Sequence, residues 1–134
     1  MLRKGLTGFL LALTLQGYSA WAEEPVQGDD YVSYIELKPF VANFSSEGPL
    51  RFVKCEISIQ VSSPDAHHAV NYHLPQIRND IVFLLSAQSE EALASVEAQQ
   101  ALSRKALKNV QDILQAEEGE AFINDLFFTS LVIQ

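Results

Sequence analysis

Hydrophobic and polar positions alternate from residue 52 to residue 61, with Val53, Cys55, Ile57, Ile59 and Val61 on one side and Lys54, Glu56, Ser58 and Gln60 on the other. Period two over ten positions predicts a β-strand with one buried and one wet face. Upstream, Tyr31-Val32-Ser33-Tyr34-Ile35-Glu36-Leu37 is rich in β-branched and aromatic residues and predicts a shorter strand. Pro39 interrupts it, and residues 40–44 continue it as an edge; Ser45-Ser46-Glu47-Gly48-Pro49 reads as a turn.

After residue 61 the period changes. Ser62-Ser63-Pro64-Asp65 closes the strand and starts a helix through His67, His68 and Val70. Leu74, Ile77, Ile81, Leu84 and Leu85 recur at helical spacing and predict a helix over 74–86. Pro75 suits its first turn, where a missing N–H leaves no bond unmade. Phe83 falls on the opposite side of this wheel, beside Gln76, Asn79 and Asp80, so a second element or a partner is expected to cover it.

Ser89 followed by Glu90 and Glu91 reads as an N-cap with acids in the first turn, and one long helix is expected from there to about Gln115. Val96, Ser103, Ala106, Leu107, Val110, Ile113 and Leu114 share one face; Arg104, Lys105, Lys108, Gln111, Asp112 and Gln115 share the other. Gly119 suits the left-handed position after that helix. Residues 126–133 are apolar on both sides of the pleat, which predicts a central strand or one covered on both faces. The expected fold is α+β, a small antiparallel or mixed sheet packed with two main helices.

Residues 1–22 break the pattern. Arg3 and Lys4 precede an apolar run over 6–15, and Ala20-Trp21-Ala22 fits a small-x-small cleavage site. The uncharged span over 5–22 is 18 residues, against about 20 for a membrane-crossing helix. Residues 1–22 are therefore read as a signal peptide, with a retained anchor as the alternative; 23–30 as a linker; 31–134 as one exported domain. Basic residues before the segment and acids after it place the domain outside the cytoplasm on either reading.

Composition narrows the function. The formal charge of the 134-residue chain is −8, and without Arg3 and Lys4 it is −10, a surface that repels nucleic acid and anionic lipid. Cys55 is the single cysteine, so neither an intramolecular disulfide nor a zinc-cysteine site can form. It lies on the buried face of its strand and reads as a small apolar filler. His67, His68 and His73 lack the spacing of ligands on one helix face, and the sequence has no G-x-S-x-G and no glycine-rich phosphate loop. No catalytic, metal or cofactor site is expected. The candidate interaction residues are Phe83 and the basic cluster Arg104, Lys105 and Lys108, the cluster being either a solvated helix face or an electrostatic contact for an acidic patch on another copy or a partner. Arg78 borders the apolar face and is placed to pack its stem there.

Four segments resemble the FliL family of flagellar basal-body-associated proteins. Tyr34-Ile35-Glu36-Leu37-Lys38-Pro39-Phe40-Val41-Ala42-Asn43 is similar to its opening strand, and the alternating strand over 51–61 to its next element. Leu74-Pro75-Gln76-Ile77-Arg78-Asn79-Asp80-Ile81 with Leu84-Leu85-Ser86 resembles its P-x-I-R-(D/N)-x-I … L-S helix, and Phe128-Thr129-Ser130-Leu131-Val132-Ile133-Gln134 its F-T-x-(F/L)-V-I-Q ending. The resemblance implies a periplasmic domain of stomatin/prohibitin (SPFH)-like fold, without catalysis or cofactor. It implies assembly with other copies into rings around flagellar stator proteins of the MotA/MotB type, alongside an anchored FliL relative, in support of swimming or swarming. The alternative is a periplasmic small-ligand or metal-binding module unrelated to motility, favoured if a polar pocket gathers His67, His68 or His73. Two features depart from the family. The start is signal-peptide-like where a cytoplasmic tail and transmembrane helix are usual, and Ala98 stands where the long helix often has glycine, so a helix boundary there is expected to differ.

Overall fold

The computed structural model describes residues 31–44 and 48–134. The expected signal peptide and linker lie outside them. The elements in order are β1 (Ser33–Glu36), β2 (Phe40–Phe44), β3 (Arg51–Val61), α1 (Pro64–Tyr72), α2 (Leu74–Ser86), α3 (Glu90–Ala94), α4 (Val96–Glu118) and β4 (Ile123–Ile133). The architecture is α+β, with every strand pair antiparallel.

β3 is the middle of the sheet, pairing with β1 and β2 along one edge and with β4 along the other. Val53, Cys55, Ile57, Ile59 and Val61 are all buried, as the pattern predicts. β4 runs along one edge of β3 over residues 53–61, so β1 and β2 share the other edge, end to end. Between them, Ile35 pairs with Ile59 and Phe40 with Cys55, which leaves one extra residue in the Lys38-Pro39 bend. That bulge resets the alternation. Ile35 and Leu37 point inward before it, and Phe40, Ala42 and Phe44 after it.

One expectation about the sheet is overturned. β4 is an edge strand with a single covered face; Phe127 is 42 % exposed and Val132 48 %. Its apolar residues on the other side of the pleat face outward. Two bulges, at Asn124 and Thr129, bend it along β3.

The helices cover the other face. Ser63 caps α1, its Oγ accepting from the Ala66 N–H at 3.0 Å, and Pro64 occupies the first turn. α2 has the predicted bounds and buries Ile77, Ile81, Leu84 and Leu85 against the sheet. The expected single helix from Ser89 to Gln115 is two. Ser89 caps α3, whose Ala92 N–H reaches its Oγ at 3.3 Å; Ser95, at φ −107°, breaks the rod and caps α4 through the Ala98 N–H at 3.1 Å. The break has a packing cause. Leu93 and Leu102 are nine residues apart, about two and a half helical turns, so a straight helix would aim them in opposite directions. Bent at Ser95, the chain buries both. Gln99 Nε2 donates to the Leu93 carbonyl freed by the bend, at 2.9 Å. The boundary thus falls three residues before Ala98, which sits in the first turn of α4.

α4 buries Leu102, Ala106, Val110 and Leu114. Leu102 is missing from the expected face, and Val96 is exposed instead of buried. Gly119 ends the helix at φ 82°, as predicted, and Phe122 follows at φ 59°, an unusual conformation for a residue with a Cβ. No helix among the described residues is long and apolar enough to cross a membrane.

Candidate interaction surface

The residues singled out from sequence do not converge. Phe83 stands on α2, 67 % exposed, with no described element over it. Arg104, Lys105 and Lys108 are exposed on α4, but they are not one patch. Consecutive residues on a helix point about 100° apart, so Lys105 diverges from Arg104. Lys108 is already paired with Asp112, at 2.9 Å and one turn on. Arg104 is left without an ion pair among the described residues. It sits one turn along α4 from Gln100, which lines a groove against β4.

There α4 and β4 part to leave a groove of about 280 Å³, lined by Val96, Gln99, Gln100, Ser103, Phe127 and Phe128. Sequence reasoning missed it. The signal was present in two stranded apolar residues, Val96 and Phe127, each of which had been assigned to a covered face.

The open face of the sheet carries Tyr34, Val41, Phe52, Phe127 and Val132, each more than a third exposed. Lys54, Glu36 and Glu56 lie among them, and Ser58, between Glu36 of β1 and Phe127 of β4, is covered by these larger cross-strand neighbours.

Arg78 does more than pack its stem. Its Nη1 donates to the Lys38 carbonyl at 2.7 Å and its Nη2 to the Pro39 carbonyl at 3.0 Å, while the guanidinium lies 4.0 Å from the centre of the Phe40 ring. Two carbonyls thrown out of the ladder by the bulge thereby regain a partner. The arginine of the α2 motif is thus a structural clamp between α2 and the β1–β2 bend.

Groups with chemical potential are otherwise ordinary. Cys55 is fully buried, and burial pushes its thiol up to about 12, with Arg78 lowering and Glu56 raising it to lesser degrees. A thiol in that state is a poor nucleophile. Of the three histidines, His68 lines an open cavity of about 470 Å³ with Asp65, Ala69, Tyr72, Glu118 and Phe122. His73 lies 2.8 Å from Glu118 through Nε2, tying the α1–α2 junction to the end of α4. His67 is not among the lining residues. No group of three or more His, Cys, Asp or Glu side chains among the described residues is arranged to hold a metal ion.

Comparison with known proteins gives a consistent answer. Residues 34–134 match the family described as flagellar basal body-associated protein FliL. The chain is 24 % identical over 96 residues to a flagellar protein FliL of Aquifex aeolicus, an alignment that covers 72 % of this chain and 57 % of the relative. The match thus spans less than two thirds of that relative's length.

Proposed function

The chain belongs to the FliL family of flagellar basal-body-associated proteins, and from that premise we propose that it is a non-enzymatic accessory of the flagellar motor. It supports stator function, and with it swimming or swarming, by assembling with copies of itself around the stator. The observation that carries this reading is the extent of the family match. It begins within β1 and ends at Gln134, so each helix, and each strand from β2 on, lies within it.

An accessory that works by contact needs exposed surface more than a reaction centre. The open sheet face, Phe83 and the α4 side of the groove supply that surface. The buried, high-pKa Cys55 fits a role without nucleophilic chemistry. We place the domain in the periplasm on the charge asymmetry around residues 1–22, and assign it the SPFH-like fold that the family resemblance implies. Either a cleaved, soluble form or an inner-membrane-anchored form would reach the basal body.

Deletion of the gene with complementation by the intact chain tests the proposal. Reduced swimming or swarming speed with normal filament assembly supports it, and so does co-purification with stator proteins. Unchanged motility under both conditions would overturn it.

A further inference from the structure

The cavity where α1 meets the end of α4 has a lining that the flagellar reading leaves unused. Its volume is about 470 Å³; Asp65, His68, Ala69 and Tyr72 come from α1, Glu118 and Phe122 from the end of α4 and the turn after it. Asp65, His68 and Tyr72 recur at positions i, i+3 and i+7, so they share one face of α1, turned away from the Val70 side that is buried in the core. Tyr72 is 80 % exposed, more than any other large hydrophobic residue described. Its ring is nonetheless held. The His73 ring stands perpendicular to it with centroids 4.9 Å apart, and His73 Nε2 lies 2.8 Å from Glu118 Oε1. These contacts fix an aromatic face and a carboxylate in the lining of one cavity.

Charge here is one-sided. Glu117, Glu118 and Glu120 crowd the C-terminus of the 23-residue α4, where the backbone dipole is itself negative, and the last turn holds no basic residue. Asp65 adds a carboxylate on the α1 side of the cavity, with no ion pair among the described residues. No lysine or arginine lines the cavity. The histidine engages Oε1 of Glu118, and no contact holds Oε2 among the described residues. A cation placed between these groups relieves the repulsion at the helix end, and the net charge of −8 on the whole chain attracts it too.

We infer that this cavity binds an alkyl guanidinium, the flat cation lying over the Tyr72 ring with its N–H groups directed at the Asp65 and Glu118 carboxylates. A guanidinium suits the lining better than an ammonium, because it is planar and weakly hydrated and can stack on a ring while its edge donates to carboxylates. Buried Ala69 and half-buried Phe122 offer apolar wall to its aliphatic stem. A metal ion is the poorer occupant, since no three His, Cys, Asp or Glu side chains among the described residues are arranged to hold one. An arginine of a partner protein and a free guanidine present the same group. The site stands on its own geometry and does not rest on the flagellar reading.

The test is an amide NMR titration of the full chain at about pH 8, above the range in which imidazoles ordinarily charge. The probes are acetyl-arginine amide, ethylguanidinium and acetyl-citrulline amide, the last keeping the arginine shape without its charge. Acetyl-arginine amide is expected to shift Asp65, Tyr72 and Gly119 saturably, with a Kd on the order of 1 mM, and acetyl-citrulline amide to bind at least about tenfold more weakly. Tyr72→Leu, at an exposed position, should weaken arginine binding about three- to fivefold, and Tyr72→Phe should leave it unchanged. Asp65→Asn should weaken it, whereas Glu97→Gln, which removes the same charge at the far end of α4, should not. Tighter binding of acetyl-arginine amide than of ethylguanidinium marks a protein-borne arginine as the ligand; the reverse marks a free guanidine. No saturable shift up to roughly 10 mM would overturn the proposal. So would equal binding of the citrulline probe, arginine binding indifferent to Tyr72→Leu, or a loss with Glu97→Gln as large as with Asp65→Asn.

Discussion

Replacing Arg78 by alanine should cost about 2–3 kcal/mol of stability, nearly all of it through the β1–β2 bend. The guanidinium makes two hydrogen bonds, to the Lys38 and Pro39 carbonyls at 2.7 and 3.0 Å, and lies 4.0 Å from the centre of the buried Phe40 ring. Hydrogen bonds from a charged donor contribute about 1.5–3 kcal/mol each when dry. These carbonyls are at the surface, so water takes over part of the work and about 0.5–1 kcal/mol each is the fair share. Loss of the cation–π contact adds about 1 kcal/mol. Arg78→Lys keeps the charge but replaces a planar fork by a point donor, so it should recover less than half. Urea denaturation followed by circular dichroism would read the loss as a lower midpoint at unchanged slope. Hydrogen exchange should show faster opening of Phe40–Phe44 in particular. A loss under about 0.5 kcal/mol, or full recovery by lysine, would refute the clamp.

Four further outcomes follow from the same structure. Leu93→Ala should destabilise by about 2–5 kcal/mol in a denaturation series, as for a fully buried leucine, and Ser95→Ala by about 1 kcal/mol through loss of the α4 cap. Gly119→Ala should cost about 1 kcal/mol for conformational reasons alone, because φ is +82° and no heavy atom lies within 4 Å of the added Cβ; a null result by thermal melt would show that the helix end relaxes. Cys55 holds its proton in the folded state up to about 12 against an ordinary 9.0, so the folded form binds the extra proton between those values. Stability should therefore be full below pH 9 and fall as pH rises from 9 to 12, a slope that Cys55→Ala flattens in pH-dependent denaturation.

Local signals in the chain were strong where one residue's neighbours decide its role. The inward set of β3, the bounds of α2, the serine cap at Ser89 and the glycine stop at Gly119 all follow from period, propensity and capping chemistry. The two errors share a cause. Residues 126–133 read as a covered strand because their hydrophobicity is two-sided, yet which edge of a sheet a strand occupies depends on pairings made far away in sequence. Residues 89–115 read as one helix because each turn is helical in propensity, yet the demand to bury Leu93 as well as Leu102 bent the rod at Ser95.

The candidate surface divides in the same way. That Phe83 is apolar on a polar side of its helix, and that Arg104, Lys105 and Lys108 are cationic in an acidic chain, could be read from residue order alone, and the structure leaves all four exposed. What they form together could not. Tertiary structure brought Val96 of α4 together with Phe127 and Phe128 of β4 in the lining of one groove. The physical reason is that hydrophobic period and capping act over one or two turns, while an edge, a groove and the bonding of Arg78 to the Lys38-Pro39 bulge exist only once distant segments have packed. By itself the sequence determined the buried faces of β3 and α2, the caps that end the helices, and the family resemblance; packing decided the break at Ser95, the buried face of α4 and which parts were left open to a partner.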